Sequence, residues 1–425
     1  MPVKILVGAQ WGDEGKGKAT DLLSRSSDFV VRCQGGNNAG HTIKAGGHVL
    51  KLRLVPSGIL YPNVTPVIGD GVVVDPAVLI EEMDALAGSG LDPSRLVLSG
   101  NAHLIMPYHR ELDKVTERYL GNAKLGTTKR GIGPAYADKA ARIGLRAQDL
   151  TDPKIFRAKL DVALKEKNLV LTKVYNRLPL DGAEIAESYL EMGRRLAPHI
   201  RDASALLHVA LRDGKSIMLE GAQGTLLDLD HGTYPFVTSS STVAGGLLAG
   251  SGLGPREVES VIGVSKAYVT RVGSGPFPTE DIGPAGSHMG EIGQEFGTVT
   301  GRPRRCGWFD AVLLRYAVRL NSLTELFITK VDVLSGLREL RICTAYRHEG
   351  VLYEDFPPHQ SIMHKAEPVY EEMEGWTEDL TGAKSFEELP LAVRKYLARI
   401  AEIGGVPVRH LSVGPEREQT LELAA

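Results

Sequence analysis

The residues whose types and spacing could do chemistry crowd into one early stretch, Gly8-Ala9-Gln10-Trp11-Gly12-Asp13-Glu14-Gly15-Lys16-Gly17-Lys18. Glycines let backbone N–H groups approach an anion closely, and a helix N-terminus just beyond adds its dipole. Lys16 and Lys18 supply charge that neutralises phosphate. Asp13 and Glu14 stand among these phosphate binders, where a plain anion nest carries no acid. An acid at such a place points to a metal ligand or a general base. With Gly15-Lys16 read as the Gly-Lys of a Walker A motif, Gly17 takes the position where that motif needs Ser or Thr. The hydroxyl that would hold Mg²⁺ is missing, and Asp13 becomes the candidate for that task.

Four further groups follow. Gln34 to Thr42 is rich in Gly and Asn; Asn37 and Asn38 tolerate left-handed backbone and offer amide donors, and His41 offers an imidazole that works near pH 7. A lone histidine is more often structural, but between Gly40 and Thr42, beside a phosphate loop, His41 reads as functional. Thr329-Lys330-Val331-Asp332 ends an apolar run. A carboxylate there can accept from guanine N1–H and the exocyclic amine together, a pair adenine lacks. Asp332 therefore selects GTP, and the stem of Lys330 covers the base face. Thr127-Thr128 and the run from Thr238 to Thr242 present hydroxyls that either bind phosphate without adding charge or cap helices. Arg302, Arg304 and Arg305 are guanidinium groups suited to carboxylate or phosphate; a solvated basic loop or an RNA contact is the alternative.

Positioning these groups takes strands that end where the loops begin. Apolar runs at 4–7, 29–32, 66–68, 96–98, 216–219, 326–329 and 340–345 read as strands, and 76–87, 108–120, 153–168 and 183–197 read as helices. The alternation predicts an α/β fold: a large, mostly parallel central sheet flanked by helices, P-loop-NTPase-like, with helical and loop insertions. The stretch 151–212 is helix-rich and reads as an insertion, and 281–305, Gly-rich and polar, reads as a long functional loop. No linker divides the chain, so one elaborated domain over 1–425 is expected.

The whole composition bounds the answer. The chain has 425 residues and a formal net charge of −3, with no basic excess for nucleic acid. Cys33, Cys306 and Cys343 are odd in number and far apart, which fits a reducing compartment without a disulfide framework. The first residues are already strand and loop, and no run is long enough to cross a membrane, so a cytoplasmic location without a membrane partner is expected.

The string Trp11-Gly12-Asp13-Glu14-Gly15-Lys16-Gly17-Lys18 resembles the adenylosuccinate synthetase family. The likeness continues through Gln34 to Thr42, Gly126 to Pro134, Glu220 to Gly224, Tyr234 to Ser240, Thr300 to Arg305 and Thr329 to Asp332, in order and over nearly the whole chain. The resemblance implies GTP-dependent ligation of L-aspartate to IMP through 6-phosphoryl-IMP, giving adenylosuccinate, GDP and phosphate. Asp13 is then the base that takes the IMP N1 proton, and Lys16, His41 and Gln223 are the other catalytic groups. Mg²⁺ is held by Asp13 and the Gly40 carbonyl. GTP is met by Gly12, Asp13, Glu14, Gly15, Lys16, Gly17, Lys18, Gly40, His41 and Thr42 along the phosphates. Arg304 reaches the GTP side, Lys330, Val331 and Asp332 hold the base, and Ser412, Val413 and Gly414 form its second wall. IMP is met by Asp13, Lys16, Asn38, Thr128, Gln223, Thr238 and Arg302, and by Arg142 acting across a homodimer. Thr298, Val299, Thr300, Gly301, Arg302 and Arg304 close over aspartate. The sequence departs from the family pattern at Lys129, often Gly, at Ser241, often Asn, and at Pro303. A GTP-binding switch protein, or another GTP-dependent kinase or ligase, is the alternative; substrate-independent GTP hydrolysis or indifference to IMP would mark them.

Overall fold

A computed structural model describes residues 3–38, 40–45, 48–121, 124–297, 301 and 303–423, with the side chains of 41–45 and 48–50 outside that description. Ten strands form the central sheet, in the order Thr420–Glu422, Val408–Ser412, Glu325–Thr329, Val258–Lys266, Val3–Gly8, Ile217–Glu220, Phe29–Arg32, Thr65–Ile68, Val97–Ser99 and Ile200–Arg201. Every pairing is parallel except the antiparallel edge of Thr420–Glu422 on Val408–Ser412. A sheet buried on both faces needs near-continuous apolar strands, and Val3–Gly8 supplies one: Ile5 and Val7 enter the main core while Leu6, on the opposite face, packs with Ala19 of the first helix.

The parallel arrangement aligns the strand ends. Val3–Gly8, Phe29–Arg32, Ile217–Glu220, Glu325–Thr329 and Val408–Ser412 all deliver their following loops to one edge, where open α/β sheets bind ligands. The helix Lys16–Ser24 starts there.

Two expectations change. The run 340–345 lies in the strand Leu337–His348, which belongs to a separate four-stranded sheet with Phe309–Asp310, Val351–Tyr353 and Glu367–Trp376. An apolar run marks a buried strand without saying which sheet buries it. The stretch 281–305 is not one long loop, because the helix Pro284–Ile292 occupies its middle, with Pro at its first position and Gly286 and Met289 buried. Small residues gave it no amphipathic stripe. The helix-rich stretch 151–212 holds the helices Pro153–Lys173, Gly182–Leu196 and Ala203–Arg212, and its Ile200–Arg201 closes the sheet's far edge.

Candidate active site

The loop between Val3–Gly8 and Lys16–Ser24 is wound through left-handed backbone at Gly12, Asp13 and Gly15, at φ 81°, 58° and 87°. Glycine adopts this at no cost; Asp13 takes it as one of the few side-chain-bearing types that tolerate it. Glu14 braces the turn from inside. Its fully buried carboxylate accepts from Gln10 N (3.1 Å) and Gly12 N (2.8 Å) and pairs with Lys16. A Cβ on Gly224 would stand 2.4 Å from Glu14 Oε1, so only glycine fits beside that carboxylate. The side chain of Glu14 thus builds the loop, and Asp13, with 35% of its side chain exposed, is the acid that meets the cleft.

That cleft has a volume of about 520 Å³. Gly12, Asp13, Gly15, Lys16, Gly17, Lys18, Asn38, Gly40, Thr128, Gln223, Arg304, Lys330, Ser412 and Gly414 line it, so residues from opposite ends of the chain meet there. Two of them hold buried polar atoms without a hydrogen-bond partner among the described residues, Asn38 Oδ1 and Gln223 Nε2, and so does Asp332 (Oδ1), two residues past the lining Lys330. A buried acceptor or donor left unpaired is costly unless a ligand completes it. Gln223 is held for this at φ 59°, with its Oε1 accepting from Gln34 Nε2 (3.3 Å) and the Gln34 amide paired to the backbone of Ala222. Burial raises the Asp332 carboxyl, against the pull of Lys18 and Lys330.

Lys18, expected to meet phosphate, also joins two elements of the fold. Its ammonium donates to Ser412 Oγ (2.7 Å), Gly414 O (2.7 Å) and Gln419 O (3.0 Å), tying the phosphate-loop helix to the wall after Val408–Ser412. Burial pulls its pKa down to about 8.

The Thr128 turn is clamped from the helix Pro107–Leu120. Glu117 accepts from Leu125 N, Gly126 N and Thr127 N at 3.0, 2.9 and 3.2 Å, and Asp113 from Thr127 Oγ1 and Gly131 N at 2.7 and 2.9 Å. Lys129, where the family often carries Gly, takes φ 56° within this clamp.

The arginines separate. Arg304 enters the cleft and donates to Asp13 Oδ2 (2.9 Å) and Glu295 Oε2 (2.5 Å). Arg305 turns away, pairs with Glu280, donates to Gly275 O (2.9 Å), and does not line the cleft. Thr298, Val299, Thr300 and Arg302 lie outside the described residues, as do the side chains of His41 and Thr42, whose backbone forms the strand His41–Ala45. Gly301 is described and exposed, at φ 64°. Thr238 does not line the cleft, but its N donates to the O of Leu227, which does. Val331, Asp332 and Val413 do not line the cleft themselves but follow or flank the lining residues Lys330, Ser412 and Gly414 in the chain. Arg142 is exposed at the C-terminus of the helix Ile132–Ala141 and does not line its own chain's cleft.

The sequence reading missed three groups. Arg271 lines the cleft while buried, 4.8 Å over the Trp11 ring, and donates to Pro276 O, Ser274 O and Thr233 Oγ1; burial lowers its pKa to about 9. Arg32 and Glu220, opposed across neighbouring strand ends, also line the cleft. Glu295 is the third, a buried carboxylate shared by Arg304, Lys266 and Lys330. Of these only Glu220 opens a motif, the Glu220 to Gly224 block, in which Gln223 alone was given a role; a charged residue closing an apolar strand was the available signal for Arg32, Glu220 and Arg271.

A phosphate loop that carries its own acid at the carboxyl ends of a parallel sheet defines a nucleotide-dependent phosphoryl-transfer enzyme of the α/β class. The adenylosuccinate synthetase family model matches residues 5–421. Adenylosuccinate synthetase of Thermobifida fusca (strain YX) is 57% identical over 423 residues, covering 100% of this chain and 99% of that protein. The structure of fully ligated adenylosuccinate synthetase from Plasmodium falciparum superposes with a TM-score of 0.94 at 38% identity, covering 100% of both chains. Succinoaminodeoxyadenylate synthetase of cyanophage S-2L, at 22% identity and a TM-score of 0.63, covers 100% of this chain and 96% of its own and shares the fold. The chain belongs to the adenylosuccinate synthetase family and is a ligase.

Proposed function

We propose that this chain joins L-aspartate to IMP at the expense of GTP, with Asp13 as the base that starts the reaction. The observation that supports it is Asp13 itself, a half-exposed carboxylate in a phosphate loop, lining one cleft with Lys16, Asn38, Gln223 and Thr128. The O6 of IMP is a poor leaving group. Asp13 takes the N1 proton, and O6 then attacks the γ-phosphorus of GTP. The O6–P bond forms as the bond to GDP breaks, giving 6-phosphoryl-IMP. The amine of aspartate next attacks C6, the C6–O6 bond breaks, and phosphate leaves with the former O6, taking up the proton the amine gives off. Gln223, whose Nε2 lacks a partner, donates to the oxygen as its charge grows. Lys16, His41 and the loop amides stabilise the transferring phosphoryl group. Thr128, Asn38, Thr238 and Arg302 hold IMP, and Arg302 with the 298–301 segment and Arg304 receives aspartate. Asp332, with an unpaired buried Oδ1, takes the guanine donors.

Mg²⁺ fits this donor set, because Asp13 and Gly40 line one cleft and Mg²⁺ is usually held by one or two protein oxygens plus substrate phosphates. When bound it neutralises phosphate charge. The reading also takes the chain as one cytoplasmic domain that works as a homodimer, with Arg142 reaching the partner's IMP. It is supported by an exposed Arg142 and by the sheet edge that the 151–212 stretch supplies. No helix among the described residues is long and apolar enough to cross a membrane.

The test is adenylosuccinate formation from IMP, aspartate and GTP, with each omitted in turn. Asp13→Asn should lower turnover by about 10²–10⁴-fold, the scale of a lost general base. A folded Asp13→Asn protein with near-native turnover refutes the assignment.

A further inference from the structure

We propose that Glu295 is a positioning residue that ties the guanine-side turn to the arginine beside the base. The inference rests on the reading of Asp13, Arg304 and Lys330 given above. Glu295 has a fully buried side chain, just after the helix Pro284–Ile292. Its Oε1 accepts from Lys266 Nζ (2.8 Å), Lys330 Nζ (2.7 Å) and the Tyr268 hydroxyl (2.5 Å). Its Oε2 accepts from Arg304 Nη1 (2.5 Å), and its backbone O from Arg304 N (2.9 Å). One residue thus holds Arg304 by main chain and side chain together. The guanidinium edge left over, Nε, reaches Asp13.

Charge and geometry give this arrangement its consequence. Three cations share a single buried carboxylate, so the cluster stays positive on the side facing the cleft, where Asp13 is the acid that answers it. Burial pushes the Glu295 carboxyl up, but Lys266, Lys330 and Arg304 override it and hold it well below the usual carboxylate range. The group stays ionised, and its two contacts to Arg304 hold that guanidinium in place. Lys330 occupies left-handed backbone at φ 59°, two residues before Asp332, and its ammonium is pinned by Glu295 and by Gly293 O (2.6 Å). The carboxylate that aims Arg304 therefore also fixes the turn presenting Asp332. A side chain that only neutralised buried charge would have no reason to grip these two elements at once.

The experiment is a double-mutant cycle on kcat/KM for GTP, with IMP affinity and melting temperature measured on every protein. Glu295→Gln keeps the shape but sets an amide N–H₂ against a cation. It should lower kcat/KM for GTP by about tenfold or more, the scale of one lost charge-assisted contact, while IMP affinity stays within about twofold. In an Arg304→Leu background the same substitution should cost clearly less, about threefold, because only its hold on Lys330 is left to lose. Glu295→Asp, which keeps the charge but is one methylene shorter, should fall between, and it replaces Gln in the cycle if Glu295→Gln does not fold. An equal loss in both backgrounds, or IMP affinity and melting temperature falling in step with kcat/KM, overturns the proposal. A native kcat/KM for Arg304→Leu alone refutes the underlying site reading instead.

Discussion

Replacing Glu117 by Gln should weaken IMP binding without touching GTP. Glu117 sits on a helix behind the site and touches no cleft-lining residue directly; it acts through the turn that carries Thr128. Its Oε1 takes the Leu125 N–H and its Oε2 the Gly126 and Thr127 N–H groups. A glutamine has one carbonyl oxygen. With that oxygen toward Gly126 and Thr127, two bonds survive and the amide N–H₂ opposes the Leu125 N–H; the flipped rotamer keeps one. At least one charge-assisted bond is lost and the rest become neutral, a local cost of about 1.5–3 kcal/mol. Leu125 and Gly126 are exposed, so water recovers part of it, and the lower end is the better figure. If these bonds are what keep the turn competent, apparent affinity falls by the competent fraction, about tenfold for 1.4 kcal/mol. Steady-state kinetics should show KM for IMP up by about tenfold, KM for GTP within about twofold, and a melting temperature a few degrees lower. Glu117→Ala, which keeps none of the bonds, should be worse. A folded Glu117→Gln enzyme with native KM for IMP refutes the clamp; equal rises in both KM values would mean that the variant loosens the whole cleft.

Asp332→Asn should weaken GTP and raise relative use of xanthosine triphosphate, whose C2 oxygen can accept from the new amide; unchanged nucleotide preference removes Asp332 from base recognition. Lys18 donates three hydrogen bonds as an ammonium and two as an amine, so KM for GTP should climb as pH passes about 8, a rise that Lys18→Arg should abolish. The sign for stability is opposite: the folded pKa lies below the unfolded one, so between about 8 and 10.5 the unfolded chain binds more protons and Lys18 titration favours folding. A melting temperature that drops through this window in the native protein, and not in Lys18→Arg, contradicts that assignment. Inactive Arg142→Leu mixed with inactive Asp13→Asn should regain activity, because a mixed dimer holds one site with both native groups; exchange of subunits without recovery shows that Arg142 does not act in trans.

The sequence alone determined the strand, loop and helix of the phosphate site, because Gly12 and Gly15 encode their left-handed backbone locally and the apolar runs before them have no other use than a buried strand. It also placed Asp332 at the end of an apolar strand and Asn38 and Thr128 in turns, which residue type and neighbours suffice to do. Direction and partnership were decided elsewhere. Nothing in Asp13-Glu14 says which acid faces out; packing against Gly224, over 200 residues away, turns Glu14 inward. Arg304 and Arg305 are equivalent in sequence, yet Glu295 and Glu280 send them to opposite fates. Likewise, Glu295 lies in a polar, glycine-rich stretch that reads as a long functional loop with nothing to single it out, and only the approach of three cations from separate elements makes its burial favourable. A local pattern fixes φ, periodicity and hydropathy. Which charges meet in the interior depends on the tertiary fold, because an ion is buried only where distant partners arrive to pair with it.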